Sequence, residues 1–343
     1  MIEVIEYSDE YRLAWSEYVT NSSEATISHQ IEWRDIMDGG LGHKSRYLLA
    51  IENGIVRGVL PLCLIKTWWG SRYLISLPWI DYGGICADNA EVVKLIVEKI
   101  RRMALDSGAI FVELRSVAEK SSELETRTDK VTFLLDFGNN ADVVWKKFDA
   151  KLRNQIRKSE KSNLKAEIGG IEKLDDFYKV FSWKMRDLGT PVWGRRFFEL
   201  ILKKLPETAK IILVKKDNVT VASGLILAFR DRLYVPSAAS YRSALKYCPN
   251  HALYWEVIKY GVVHGYKYLD FGRSAVDSNT YTFKKQWVPE STTLLWQYHL
   301  RAGEEIPNIN PNNPKYHLAK KIWRMLPLPL ANILGPQVIK NFP

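Results

Sequence analysis

Along this chain, short apolar or alternating runs take turns with stretches of helical period. "IEVIEY" at the start reads as a strand. Residues 8–22 read as a helix with Ser8 or Asp9 as N-cap, and "HQIEWRDIMDGG" as a short helix closed by glycine. "KSRYLLAIENG", "IVRGVLPLCLIKT" and "RYLISLP" then read as strands, with Asn53-Gly54 as a hairpin turn because both residues tolerate positive φ. Apolar residues at 92, 93, 96, 97 and 100 mark a helix over 89–108, and the strand "AIFVELRS" follows it.

The second half repeats this order. Residues 209–240 read as three strands with turns at Asp217-Asn218 and Arg230-Asp231. The helix "NHALYWEVIKYGVVHG" and the strand "YKYLDFGRS" come next. Landmarks align the two halves: Arg72-Tyr73 opens a strand in one and Arg232-Leu233 in the other, and Arg115-Ser116 closes one as Arg273-Ser274 closes the other. The separations, Arg72 to Arg115 and Arg232 to Arg273, are 43 and 41 residues. The copies lie about 160 residues apart, a length suited to one domain each. The pattern therefore predicts a duplicated α/β fold: a first domain over 1–139, a second over 140–300, and a linker with tail over 301–343.

Residues 140–163 read as one long helix that opens the second domain, with Trp145, Phe148, Leu152 and Ile156 along one side. Its other faces carry Lys146, Lys147, Lys151, Arg153, Arg157, Lys158 and Lys161. Arg153, Arg157, Lys158 and Lys161 are the candidates for nucleic-acid phosphates; a plainly solvated helix face explains them equally well. After residue 300, "EEIPNINPNNP" reads as a linker. The tail from 315 onward is basic and amphipathic, with Ala319, Ile322, Trp323 and Leu326 close together on a helix and Lys320, Lys321 and Arg324 beside them. It suits either peripheral association with a membrane through residues 315–340 or docking on the protein's own surface.

Charge narrows the partners. The 343 residues carry a formal charge of +10, which favours anionic partners. Three cysteines form no pair or metal motif, six histidines are scattered, and no metal site is expected. The acidic, polar N-terminus does not read as a signal peptide, and no run is apolar enough to span a bilayer, so a cytoplasmic protein is expected. There is no GxSxG elbow, Walker A loop or GxGxxG after a strand, so hydrolase, phosphotransferase and dehydrogenase readings lack support.

Two corners remain. In "SLPWIDYGGIC" (76–86), the Gly83-Gly84 pair allows close backbone approach, and Asp81, flanked by Trp79 and Tyr82, could bind or deprotonate an amine. A tight turn packed by aromatics is the alternative. In "DFGRSAVDSNTYTFKKQW" (270–287), Arg273 could fork onto a phosphate or carboxylate. Lys284 or Lys285 could return to the same cleft and stabilise an oxyanion, walled by Phe283 and Trp287.

With "SHQIEWRDI" (28–36), "KLRNQIRKSEKSNL" (151–164) and "RDLGTPVW" (186–193), these corners resemble the FemAB-like transferases, the peptidoglycan interpeptide-bridge family. The resemblance is nearest to the compact, FemX-type members found with exopolysaccharide and exosortase clusters, and covers the chain to about residue 300. It implies an α/β (α+β) fold of two tandem GNAT domains with mixed central sheets. It also implies transfer of an acyl or aminoacyl group to an amine of a cell-envelope precursor. Phe283-Lys284 matches a family Phe-Lys pair, and the resemblance implies Lys284 as the catalytic cation. Asp81, Gly83 and Gly84 fall where the acceptor cleft is expected, with Asp81 as the base. Gln286-Trp287 departs from the family's glycine there, which opens other acceptors such as a lipid-linked saccharide.

The donor is aminoacyl-tRNA or acyl-CoA, with no other cofactor expected. The usual CoA loop has the form Q/R-x-x-G-x-G/A. Its expected place, "YRSALKYCPNHAL" (241–253), has no glycine, although Tyr241 and Arg242 there could contact a donor. The basic 150s helix favours tRNA. A monomeric enzyme is expected; a non-catalytic RNA- or membrane-binding relative is the alternative.

Overall fold

The computed structural model describes residues 1–138, 140–307 and 317–342. Most of the expected linker, from residue 308 on, and the first two residues of the expected tail lie outside the described residues. The chain forms two compact units. Unit 1 holds Met1–Asp129, Thr293–Pro311 and Gln337–Pro343; unit 2 holds Lys130–Thr292 and Asn312–Pro336.

Unit 1 opens with β1 (Ile2–Glu6), α1 (Arg12–Asn21), α2 (Glu32–Leu41), β2 (Lys44–Ser45), β3 (Leu48–Glu52), β4 (Ile55–Leu60), β5 (Cys63–Lys66) and β6 (Arg72–Ile75). It continues with β7 (Cys86–Ala87), α3 (Ala90–Ser107), β8 (Phe111–Ser116) and β9 (Glu125–Thr132), whose last residues cross into unit 2. Unit 2 contains β10 (Leu134–Asp136), α4 (Ala141–Lys147), α5 (Ala150–Lys161), β11 (Lys165–Gly169), α6 (Leu174–Leu188) and α7 (Arg195–Lys204). Then come β12 (Ala209–Lys216), β13 (Val219–Phe229), β14 (Arg232–Ser240), α8 (Pro249–Val263), β15 (Tyr268–Asp270), β16 (Ser274–Ala275) and α9 (Asn279–Lys285). The chain continues through β17 (Thr292–Leu300), α10 (His317–Met325) and α11 (Leu328–Ile339).

The repeat seen in the sequence is a repeat of topology. In unit 1, β6 runs parallel to β8, with Tyr73 opposite Phe111 and Ile75 opposite Glu113. In unit 2, β14 runs parallel to β15, with Arg232 opposite Tyr268 and Tyr234 opposite Asp270. Each parallel pair is joined by a helix, as a parallel connection requires: α8 packs on β12, β13 and β14, and α3 packs mainly on β1, β3, β4 and β7 and also meets β8. Unit 2 is one six-stranded sheet in the order β10-β15-β14-β13-β12-β11. In unit 1 the corresponding sheet is split. One part is β1-β3-β4-β7, and the other runs β9-β17-β8-β6-β5-β2.

The split has a local cause. The expected strand 55–67 breaks into β4 and β5 around Pro61, which has no N–H to give a ladder. Counting from the preceding turns, Ile55 corresponds to Val219, which sets Leu62 against Ile226; there β13 carries a register shift between Leu225 and Leu227. One copy bulges where the other breaks. Leu48, Leu60, Leu74, Ile96 and Val112 lie in the core of unit 1. Unit 2's core includes Phe133, Phe137, Leu152, Ile212, Leu253 and Trp287.

Several expectations need correction. The long 140–163 helix is two helices. Phe148 takes an extended ψ of 144°, and the Asp149 side chain caps α5 by accepting from Leu152 N at 2.6 Å. This turn packs the Phe148 ring against Trp145, Trp255 and Trp287. The second helix runs through Gly39-Gly40 and ends at Gly42, whose φ of 70° suits glycine. The units divide at 129/130 and 292/293 rather than at 139/140 and 300/301, because β10 pairs with β15 and β17 pairs with β8.

Of the tail, α10 packs against α6 and its Arg324 donates to the Leu188 carbonyl. Ala331 and Gly335 of α11 are buried, and a Cβ on Gly335 would meet Val192. Leu318, Ile322, Met325 and Ile333 remain exposed. Among the described residues no helix is long and apolar enough to cross a membrane.

Candidate active site

Each corner is built inside one unit. In unit 1, the 76–86 segment leaves β6 as a braced loop. Leu77 and Trp79 take φ of 57° and 78°, a region few non-glycine residues enter without support. The support comes from β8. Glu113 and Arg115, two residues apart, share one strand face and form an ion pair at 2.7 Å. Arg115 also donates to the carbonyls of Ile80 (2.9 Å) and Leu77 (3.3 Å), and its guanidinium lies 4.5 Å over the Trp296 ring. The Tyr298 hydroxyl donates to the other Glu113 oxygen at 2.7 Å.

The far end of this loop is tied by Thr26 and His29. Thr26 Oγ1 donates to the Tyr82 carbonyl, and His29 Nε2 donates to the Gly84 carbonyl at 2.8 Å. Thr26 N–H donates to His29 Nδ1 at 3.0 Å, which fixes the neutral tautomer with its proton on Nε2. Burial pushes the pKa of His29 down to about 4. Trp79 packs against Trp33, and Asp81 and Tyr82 are buried. The glycine pair makes a close approach to unit 1's own chain. A Cβ on Gly83 would lie 2.7 Å from the Ser76 carbonyl oxygen, and one on Gly84 would lie 1.8 Å from Ser116 Oγ.

In unit 2 the 270–287 corner is framed by Asp270 and Lys284. Asp270, the counterpart of Glu113, is buried at the end of β15. Its Oδ1 accepts from Thr132 Oγ1 (2.6 Å) and Gly272 N (2.8 Å). Gly272, at φ 74°, then reverses the chain. The carbonyls of Gly272 and Arg273 accept from Lys284 Nζ at 2.8 and 3.0 Å. Lys284 reaches them from the last turn of α9, which Ser278 caps by accepting from Tyr281 N. Lys284 is buried, whereas Lys285 is exposed and sits near the Tyr281 ring; Arg273 is half-buried.

The aromatics of this corner face the core. Phe283 contacts Tyr254, His251 and Trp287, and Trp287 contacts Phe271 and Phe148. Burial lowers the pKa of His251. Its ring nitrogens meet no partner at bonding geometry, although Gln286 lies close enough to act on it. The buried Ser237 and Ser274 hydroxyls and the Trp287 indole N–H are likewise unpartnered. Beyond Tyr234, β14 pairs with β13 alone as far as Ser240, so its edge beyond the parallel pair is open within unit 2's sheet.

The loop after β14 is wound into a 3-10 turn over Arg242–Tyr247, whose i→i+3 bonds occupy its amides. Ala244 N bonds back to Tyr241 O, and Cys248 N to Leu245 O. Tyr241 packs edge-on against Trp183, and Arg242 is exposed. On α5, Arg157, Lys158 and Lys161 are exposed and Arg153 is half-buried. Arg157 lies 5.4 Å over the Trp145 ring. Residues 153, 157 and 161 recur at i+4 on one face.

The chemistry is limited by what surrounds each group. Burial raises the pKa of all three cysteine thiols, so none is poised as a nucleophile. No group of three His, Cys, Asp or Glu among the described residues could hold a metal. Glu113, Tyr298, Thr26, His29 and Asp270 were not singled out in the sequence. The i, i+2 spacing of Glu113 and Arg115 in an otherwise apolar strand was the available signal for the first.

Residues 146–285 match the family described as an acetyltransferase (GNAT) domain. No curated protein matches the chain. Among solved structures it is similar to FemX, with TM-score 0.66 and 16% identity over 93% of this chain and 100% of that one. It is also similar to the C-terminal (DUF2156) domain of a putative lysylphosphatidylglycerol synthetase from Agrobacterium fabrum, with TM-score 0.59 and 12% identity over 85% and 93%. A tandem GNAT protein from the clavulanic acid biosynthesis pathway matches with TM-score 0.56 and 9% identity over 89% and 100%. The fold is thus the one shared with FemX and with that tandem GNAT protein.

Proposed function

We propose that this protein is a FemX-like transferase that moves an aminoacyl group from aminoacyl-tRNA to an amine of a cell-envelope precursor. The observation that carries the reading is the buried Lys284 ammonium, held by two backbone carbonyls within the GNAT-matched region. A fixed cation in a dry corner can stabilise the oxyanion formed when an amine attacks an ester carbonyl. The amine nitrogen forms the new amide bond. The ester C–O bond breaks, and the leaving hydroxyl takes up the proton that the amine loses. Direct attack fits the raised thiol pKa values. Arg273 is the candidate anchor for donor phosphate, and acceptor-side roles for Asp81, Trp79 and Tyr82 stay with unit 1.

Two features favour tRNA over CoA. The amides of Ala244 and Cys248 are spent on bonds within the 241–248 loop, and α5 presents Arg157, Lys158 and Lys161 outward with Arg153 half-buried beside them. A second reading, an acyl-CoA-dependent N-acyltransferase of exopolysaccharide synthesis, is favoured by the family match and by exposed Arg242 and Lys246 beside that loop. In the first reading the protein works at the cytoplasmic face of the membrane. The exposed apolar side chains of α10, beside Lys320, Lys321 and Arg324, support attachment there.

The test is release of labelled amino acid from charged tRNA into an envelope-lipid extract, comparing wild type with Lys284→Met and Lys284→Arg. Loss of an oxyanion-stabilising group costs on the order of 100- to 1,000-fold in rate. Lys284→Met is expected to fall by that factor while melting cooperatively. Lys284→Met with wild-type turnover would end the assignment.

A further inference from the structure

The molecule has 12 tryptophans, and among the described residues only Trp68 and Trp69 are strongly exposed, at 65% and 48%. They occupy the tip of the β5–β6 hairpin. A core residue or a fold-stabilising pair would not be left in water there, because two indoles carry a large apolar area. The tip is also not loose. Thr67 N and Oγ1 both bond the Ser71 carbonyl, Gly70 N bonds the Thr67 carbonyl, and Gly70 sits at φ 89°.

A second restraint comes from residues 341–342, which belong to the same unit. The buried Asn341 accepts from Trp68 N at 3.0 Å and spends its amide on the carbonyls of Gln337 and Val338. The Phe342 ring lies 5.8 Å from Trp69, and the two indoles meet edge-on at 6.0 Å. Two indoles are thus displayed outward, with the half-buried Phe342 ring bracing Trp69.

Along the chain, the charge beside them has one sign. Lys66 and Arg72 flank the turn and are exposed, and Lys340 precedes Asn341. No Asp or Glu occurs in residues 53–80 or from 306 to the end. Amphipathic aromatics with a rim of cations fit the headgroup zone of a bilayer, where Trp is enriched and anionic lipids attract Lys and Arg.

We propose that the Trp68-Trp69 turn, clamped by Asn341 and Phe342, is an interfacial anchor for an anionic membrane. The turn buries its indoles at the acyl–headgroup boundary, and Lys66 and Lys340 meet lipid phosphates, while Arg72 donates to the Ser107 carbonyl. The anchor shares its lipid partner with the reading above, but it is a separate element from α10 and is tested without turnover. Failure of the anchor therefore leaves the transfer reading standing.

The experiment is co-sedimentation of the full chain with vesicles of equal phosphatidylglycerol and phosphatidylcholine, and with phosphatidylcholine alone. Wild type is compared with the Trp68→Ala/Trp69→Ala double variant and with Leu318→Asp/Ile322→Asp on α10. Binding is expected to favour the anionic vesicles, and to weaken about ten-fold or more in the tryptophan variant because apolar area and charge both set the affinity. Brominated acyl chains are expected to quench wild-type fluorescence beyond that of Trp68→Phe/Trp69→Phe. The proposal is overturned if wild type binds neither vesicle, or if the tryptophan variant binds as wild type while only the α10 variant fails. It is also overturned if sedimentation without lipid shows that the tryptophan variant dissociates a dimer, since the turn would then be a self-association face.

Discussion

His29 shows how one side chain sets the protonation dependence of a loop. Its neutral ring accepts from Thr26 N–H and donates to Gly84 O, so adding a proton to Nδ1 breaks the first bond. Burial lowers its pKa from 6.5 to about 4 in the folded chain. Between those values the unfolded chain binds the proton and the folded chain does not, so stability rises with pH across that window and is lost as pH falls from about 6.5 towards 4. The shift corresponds to about 3 kcal/mol. Burial also lowers His43 to about 4 and lowers His251 and His299, so these histidines act in the same direction as His29. Denaturant unfolding of unit 1 at several pH values is expected to show this slope, and His29→Gln is expected to remove about one proton of it. Identical slopes in variant and wild type would show that His29 is already protonated or not tied to the fold. Lys284 and Lys285 make the companion point that neighbours in sequence differ in fate: helical spacing turns one inward to two carbonyls and the other out to water.

Among the elements, the α4–α5 break shows what capping decides. Asp149 starts a second helix, and its replacement by Ala leaves the Leu152 N–H without its side-chain partner. Asp149→Ala is expected to cost about 1 kcal/mol, read as a lower midpoint in thermal unfolding. An unchanged midpoint would mean that Phe148 packing alone sets the break. The sequence showed the acid but not the break, because the apolar stripe Trp145, Phe148, Leu152, Ile156 fits a continuous helix as well. By contrast, the strand–helix–strand repeat was legible, since its turns at Asn53-Gly54 and Asp217-Asn218 and its amphipathic helix α3 are local signals. β10 and β17 were not, because their partners β15 and β8 are over 100 residues away and no periodicity records such pairing. The site was legible in the same proportion. "DFGRS…FKK" stood out as charge among aromatics, but Asp270 and Gly272 as the frame for Lys284 emerge only when β15 and α9 are both in place.

For the whole molecule, the formal charge of +10 is assigned to two separable proposed partners: a polyanion on α5 of unit 2 and a lipid surface on the aromatic turn of unit 1. Donor identity divides the aminoacyl-tRNA reading from the acyl-CoA reading. The direct measurement is fluorescence anisotropy of labelled tRNA titrated with the protein at physiological salt, with acetyl-CoA as competitor and with the Arg153, Arg157, Lys158 and Lys161 quadruple alanine variant in parallel. An aminoacyl-tRNA donor predicts saturable binding that acetyl-CoA does not displace. It also predicts that affinity falls with added salt, and that the quadruple variant loses both affinity and a large part of that salt dependence. Absence of tRNA binding together with saturable binding of acetyl-CoA would contradict it.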